Sequence, residues 1–192
     1  MPFWKSARPH WLLALGALVL ALFAAAGPAR AEGITPVVVK IESGDDGYRL
    51  DAEFDIQFSP RLEEAVNRGV ALFFVVEFEL SKPRWYWFDE KPVQLSQTYK
   101  ITYTPLLRQY RLSVGSAYQN FRRFDDVVQA LSRVRGWPVA DKGTLRKEGG
   151  AYQAAIRMRL DTAQLPKPFQ LNAVASRDWN LASDWYRWTV NP

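Results

Sequence analysis

Residues 70–88, VALFFVVEFELSKPRWYWF, constrain the fold more than any other stretch. Leu72, Phe74, Val76, Phe78 and Leu80 share one face of an extended strand. Ala71, Phe73 and Val75 share the other, where Glu77 and Glu79 follow. Side chains alternate along a strand, so the first half requires cover on both faces and the second half on one. The stretch is expected to be the central strand of a sheet, running out towards an edge or opening. Its tail, Arg84-Trp85-Tyr86-Trp87-Phe88, is the most unusual local composition in the chain.

The neighbouring segments supply partners for such a strand. Residues 34–43 read as a strand with Val37, Val39 and Ile41 on one face, and Gly44-Asp45-Asp46-Gly47 reads as a turn. Residues 48–58 alternate, with Tyr48, Leu50, Ala52, Phe54, Ile56 and Phe58 inward and Arg49, Asp51, Glu53, Asp55 and Gln57 outward, which predicts a hairpin with one solvated face. Acids in such an outer row are expected to pair with basic residues across the sheet rather than to hold a metal or sugar. Ser59-Pro60 opens a short helix with Leu62, Ala65 and Val66 on its buried stripe and Gly69 at its end. Turns are expected at Lys82-Pro83 and at Asp89-Glu90-Lys91-Pro92. Residues 93–104 and 109–114 read as a second hairpin, with Tyr99, Ile101, Tyr103, Tyr110, Leu112 and Val114 inward.

A second helix is predicted over residues 124–135, capped by Gly136, with Asp125 and Asp126 in its first turn and Arg133 and Arg135 in its last. Residues 151–161 form another strand, with Tyr152, Ala154, Ile156, Met158 and Leu160 inward. A Trp-rich arm, residues 169–190, closes the chain. Seven or so alternating strands point to a mainly β fold. The expected form is an antiparallel β-sandwich, Ig-like or similar, with two short connecting helices; a half-open β-barrel is the alternative.

The N-terminus has a different character. Lys5 and Arg8 precede an uncharged apolar run at residues 11–26, then Gly27-Pro28 and Ala29-Arg30-Ala31. That order is a secretory signal peptide over residues 1–31, leaving a single β-rich domain at residues 32–192 and a periplasmic location. The alternative is an uncleaved segment anchoring the chain in the inner membrane, although the run is short of the roughly 20 residues of a membrane span. Cleavage would lower the formal charge from +5 to +2, because Lys5, Arg8 and Arg30 leave without any acid. Nucleic acid is therefore a poor partner for the domain.

The chain has no Cys, and its one His, His10, lies in the N-terminal segment. Catalysis by Ser-His-Asp or Cys-His groups is excluded from the domain, as are zinc and haem sites that need these ligands. No cofactor and no metal site is expected. Ser59-Pro60-Arg61-Leu62 lacks the Lys of a Ser-x-x-Lys hydrolase.

Several segments together carry a resemblance: Phe58-Ser59-Pro60-Arg61-Leu62-Glu63-Glu64-Ala65-Val66-Asn67-Arg68-Gly69-Val70, Arg84-Trp85-Tyr86-Trp87, the hairpin at residues 99–111, and Trp179-Asn180-Leu181-Ala182-Ser183-Asp184-Trp185-Tyr186-Arg187-Trp188. The chain resembles a proteobacterial exported family known as domain of unknown function number 4390. The match covers nearly all of residues 32–192, and the Trp-rich motif is its most specific part. The resemblance implies a periplasmic or membrane-facing protein. It also implies a link to a membrane sensor kinase, beside which genes of the family often lie. It supplies no activity.

Six Trp residues fall in the domain, with Arg84, Arg177 and Arg187 beside them. Trp and Arg dominate binding hot spots, and Trp also stacks on sugars. The chain is expected to be a non-catalytic binding module using Arg84, Trp85, Trp87, Trp179, Trp185, Arg187 and Trp188. Its partner would be an envelope or membrane protein, or a cell-wall glycan. The competing structural role for the Trp residues is closure of one end of the core. The alternative function is a carboxylate-based glycan hydrolase using Glu77 and Glu79, which lie on one strand face at a permissive spacing.

Overall fold

The computed structural model describes residues 33–82, 90–145 and 150–191. The N-terminal segment expected to direct export lies outside them. β1 (Gly33–Gly44) and β2 (Gly47–Gln57) form the expected hairpin, in register from Gly33↔Gln57 to Gly44↔Gly47. Gly47 is required there: its φ is +137°, and a Cβ would lie 2.3 Å from the Ala140 carbonyl oxygen. Leu50, Ala52, Phe54 and Ile56 of β2 are buried, as alternation predicts. In β1 the expected face of Val37, Val39 and Ile41 is broken. A register shift between Pro36 and Val38 leaves Val37 63% exposed. Proline has no N–H to give a ladder, so it marks an edge strand or bulge, and a bulge switches which face later residues occupy.

α1 (Pro60–Asn67) starts where Ser59 Oγ accepts the Leu62 N–H at 3.3 Å. It ends with the Gly69 N–H on the Val66 carbonyl (2.9 Å) and the Val70 N–H on the Ala65 carbonyl (3.0 Å), with Gly69 at φ +89°. This paired closure needs the left-handed conformation that glycine adopts freely. β3 (Leu72–Lys82) then runs between β4 (Glu90–Thr104) and β8 (Tyr152–Leu160), which makes it the central strand anticipated. β4 begins earlier than its alternation suggested. Lys82 already pairs with Glu90, so the turn expected over residues 89–92 is in part strand.

The hairpin of β4 and β5 (Gln109–Val114) also forms as expected. The alternation left one edge strand undetected: β6 (Ala117–Phe121), exposed nearly throughout. α2 (Phe124–Leu131) is shorter than predicted, and β7 (Arg133–Ala140) follows at once. Gly136 therefore does not cap a helix. It sits in β7 at φ +57°, where Asp51 of β2 faces a register shift between the pairs Leu50↔Trp137 and Ala52↔Val134. Its N–H donates to Asp51 Oδ1 at 2.6 Å. A bulge glycine and a helix-ending glycine satisfy the same positive-φ requirement, so the residue alone does not tell them apart. Arg133 and Arg135 lie 3.5 and 4.0 Å from the carboxylate of Glu53. In the acidic outer row of β2, Glu53 is thus paired with basic residues across the sheet and Asp51 with a backbone N–H there, while Asp55 accepts from Gln57 of its own strand.

The C-terminal arm contains α3 (Lys167–Ala175) and β9 (Tyr186–Val190), the latter paired with β8. Among the described residues nine strands make two antiparallel sheets, ordered β1–β2–β7 and β6–β5–β4–β3–β8–β9. One hydrophobic core lies between them, joining Leu50, Phe54 and Val134 to Phe74, Phe78 and Ile156. The protein is mainly β and sandwich-like, with three α-helices rather than two among the described residues and no closed barrel.

Candidate functional site

The two faces of β3 dictate where polar chemistry can sit. Leu72, Phe74, Val76, Phe78 and Leu80 are wholly buried between the sheets. Glu77 and Glu79 point to the other side. The register sets Glu77 opposite Ser96 of β4 and Arg157 of β8, and Glu79 opposite Gln94 and Ala155. Arg157 Nε donates to Glu77 Oε2, and Arg159 Nη2 lies 3.2 Å from Glu77 Oε1. Arg159 Nη1 also lies 3.6 Å from Asp161 Oδ1. Burial raises the pKa of Glu77, but hydrogen bonds and charge from Arg157 and Arg159 outweigh it and hold the carboxyl below its ordinary value. Glu77 is a fixed anion clamped by two guanidinium groups. A glycosidase acid needs a raised pKa, so this geometry lends no support to Glu77 as a proton donor.

The guanidinium of Arg157 also stacks over the indole of Trp185, 4.5 Å from the ring centroid. Glu77, Glu79, Gln94, Ser96, Arg157 and Trp185 line a cleft of about 240 Å³ on this outer face. Gln94 Nε2 lies 3.5 Å from Glu79 Oε1. A larger groove of about 440 Å³ opens between the sheets beside Tyr48, Val93, Pro138 and Val139, and it shares Gln94 and Leu95 with the cleft. Leu95 pairs with Phe78 on the inner face, yet it is exposed. The three-stranded sheet does not cover it.

The expected Trp site divides. Trp179 is buried, 5.6 Å from the ring of Phe169. Trp188 is half-buried, 6.3 Å from Phe78, and Trp137 reaches the same Phe78 ring at 6.4 Å from the opposite sheet. These three Trp residues close the core. Trp185 and Arg187 differ: Trp185 faces the cleft, and Arg187 is exposed opposite Ala155. Arg84, Trp85 and Trp87 lie outside the described residues.

A change of phase explains the split. Trp179, Leu181 and Ser183 are buried, and Ser183 binds Met158 like a strand residue: its N–H donates to the Met158 carbonyl (2.8 Å) and its Oγ accepts the Met158 N–H (3.0 Å). From β9 onward Trp188 and Val190 are the residues packed against the core, so the inward parity has moved from odd to even. Trp185 falls where the phase changes. The residues missed from the sequence, Arg157 and Arg159, had one available signal: two Arg residues on the outward positions of a strand otherwise apolar within.

Among the described residues no group of three or more His, Cys, Asp or Glu side chains is placed to hold a metal ion. No helix among them is long and apolar enough to cross a membrane. No curated protein and no solved structure matches the chain. A family model does match, over residues 31–189, taking in both sheets, the clamped Glu77 and the Trp-rich arm. The chain belongs to that family, described as a domain of unknown function (DUF4390).

Proposed function

We propose that the chain is a non-catalytic binding module of the cell envelope, exported to the periplasm and coupled there to a membrane sensor-kinase system. The observation that carries the binding role is the cleft in which Arg157 joins the Glu77 carboxylate to the Trp185 indole. An aromatic face beside charged and amide hydrogen-bonding groups is the composition of a recognition surface. The clamped, ionised state of Glu77 suits a fixed recognition group better than a proton donor. The order of features in residues 1–31 supports export. The ligand surface comprises Trp185, Arg187 and the cleft, and its partner is an envelope protein or a cell-wall glycan.

The test is photo-crosslinking capture from envelope extract and from purified peptidoglycan fragments, comparing the wild type with Trp185→Ala/Arg187→Ala. Trp185 is half-buried and Arg187 exposed, so the double variant is expected to keep its thermal transition and lose capture. Equal capture by a folded double variant would refute the site.

A further inference from the structure

The six-stranded sheet has a gap beside β4. β3 pairs with β4 in unbroken register from Leu72↔Ile101 to Leu80↔Val93, but β5 reaches only from Thr104↔Gln109 to Tyr99↔Val114. After Val114 the chain turns into β6, which pairs back onto β5. Residues 93–98 therefore have a strand on one side and, among the described residues, none on the other. In an antiparallel strand every second residue directs its N–H and carbonyl to a given side, so this edge offers a backbone ladder about 20 Å long.

Open edges invite unwanted pairing, and proteins blunt them with proline, lysine, bulges or short length. The outer edges of both sheets are blunted in this way. β1 carries Pro36 with its register shift, and Lys40. β7 carries Pro138 and the bulge at Gly136. β6 and β9 have five residues each, and β9 presents Arg187. The run Val93-Gln94-Leu95-Ser96-Gln97-Thr98 has no charge, no proline and no bulge. Pro92, just before it, marks where the run begins.

The surroundings of this edge define what fits it. A ladder of this repeat is satisfied by an extended polypeptide backbone, not by a sugar chain. Val93 and Leu95 face the inner side, where Tyr48, Pro138 and Val139 wall the groove of about 440 Å³. Leu95 is 39% exposed there. Gln94, Ser96 and Thr98 face the outer side, opposite Glu79, Glu77 and Val75. A strand laid on the edge would thus meet an apolar wall with alternate side chains and amides and hydroxyls with the rest. Asp46 and Asp141 line the groove with Val93. Asp46 faces Arg49 at 3.8 Å, and Asp141 has no ion pair among the described residues, so the groove carries an excess of negative charge.

We propose that β4 is a site of strand addition: an extended segment of a partner protein pairs with residues 93–98, puts alternate apolar side chains into the groove, and sets a basic residue against Asp46 and Asp141. Main-chain hydrogen bonds supply affinity in this mode, and the groove supplies selectivity. The edge is held straight by β3, so little freedom is lost on its side when a strand is added. The inference rests on the reading of the chain as a binding module. It makes the partner at this surface a polypeptide, and it does not use Trp185.

Two measurements on the full 192-residue chain test it. The first is amide hydrogen exchange of the free chain. Alternate amides of residues 93–98 are expected to exchange at least about tenfold faster than those of residues 99–104, which are paired on both sides. Equal protection would mean that this chain or a second copy already fills the edge, and would overturn the proposal. The second uses a phage-displayed library of random octapeptides as the probe. Enriched peptides are expected to alternate apolar and polar residues with Lys or Arg at one end, and synthetic copies to slow exchange at residues 93–98 about tenfold. Leu95→Arg, at an exposed position, should keep the thermal transition and lose this protection, whereas Trp185→Ala/Arg187→Ala should retain it. Strand addition is refuted by a library that enriches no alternating peptide, by peptides that bind without protecting residues 93–98, or by protection that persists in Leu95→Arg. The peptide effect is read in the Trp185→Ala/Arg187→Ala chain as well, so this failure is distinguishable from failure of the cleft.

Discussion

The two faces of the six-stranded sheet are made by different physics, and β3 shows both. Its inner face is one continuous apolar row, in which neither direction nor partner identity matters much: any dry surface of the right volume suffices. Its outer face depends on register. Glu77 is held because Arg157 and Arg159, some eighty positions later, arrive opposite and diagonal to it. Burial of the inner row needs only the apolar face of the opposite sheet, whereas the outer cluster needs β8 docked in one register. Phe74→Ala tests the first face. The ring is fully buried, 5.5 Å from Phe58, and the change is expected to cost about 3–5 kcal/mol in urea unfolding. A loss below about 1 kcal/mol would mean that this face is not the core and that the contrast is misplaced.

Glu77→Gln tests the second face. It takes the shared anion from two half-buried guanidinium groups, leaving Arg159 with Asp161 alone, at an expected cost of about 1–2 kcal/mol near neutral pH. The pH dependence has a definite sign. The folded-state pKa of Glu77 lies below its ordinary 4.5. The unfolded chain therefore takes up the proton first as pH falls, and the Glu77 contribution is present above pH 4.5 and lost as pH drops through the folded value. The wild type should lose stability on acidification more steeply than Glu77→Gln, whose melting temperature should vary less below that pH. Parallel acid limbs would show that the clamp contributes nothing.

The same contrast governs what the sequence could reveal. Strands with one dry face announce themselves by alternation, and β2, β3, β5 and β8 were legible residue by residue. β6 was not, because an edge strand exposed nearly throughout has no face to alternate. β7 was hidden in an apparent helix end, since Arg133, Arg135 and Gly136 suit a helix terminus as well as a bulged strand. The site was less legible than the fold. Trp composition drew attention to the C-terminal arm, but the phase change between Ser183 and Tyr186, which turns Trp185 out and Trp188 in, depends on how residues 181–183 hydrogen-bond to β8. Only the pairing reveals that.

The mildest test sits where the inner face meets a polar atom. Tyr99 of β4 points inward and is buried, and its hydroxyl donates to Gln97 Oε1 at 3.4 Å. Burial pushes its pKa up to about 12 from the ordinary 10. The folded state therefore keeps the proton over a range in which the unfolded chain has released it. This contribution is intact below pH 10 and is lost as pH rises through about 12. Tyr99→Phe should change stability by less than about 1 kcal/mol at pH 7, because the long hydrogen bond contributes little. Above pH 10 the variant should unfold less steeply than the wild type. Some alkaline sensitivity should remain, since burial and the nearby Glu63 also raise the pKa of Tyr110. Alkaline titration followed by tyrosinate absorbance and circular dichroism distinguishes the two. Superimposable curves for wild type and Tyr99→Phe would mean that water reaches the Tyr99 hydroxyl and that the inner face is less dry beneath β4 than beneath β3.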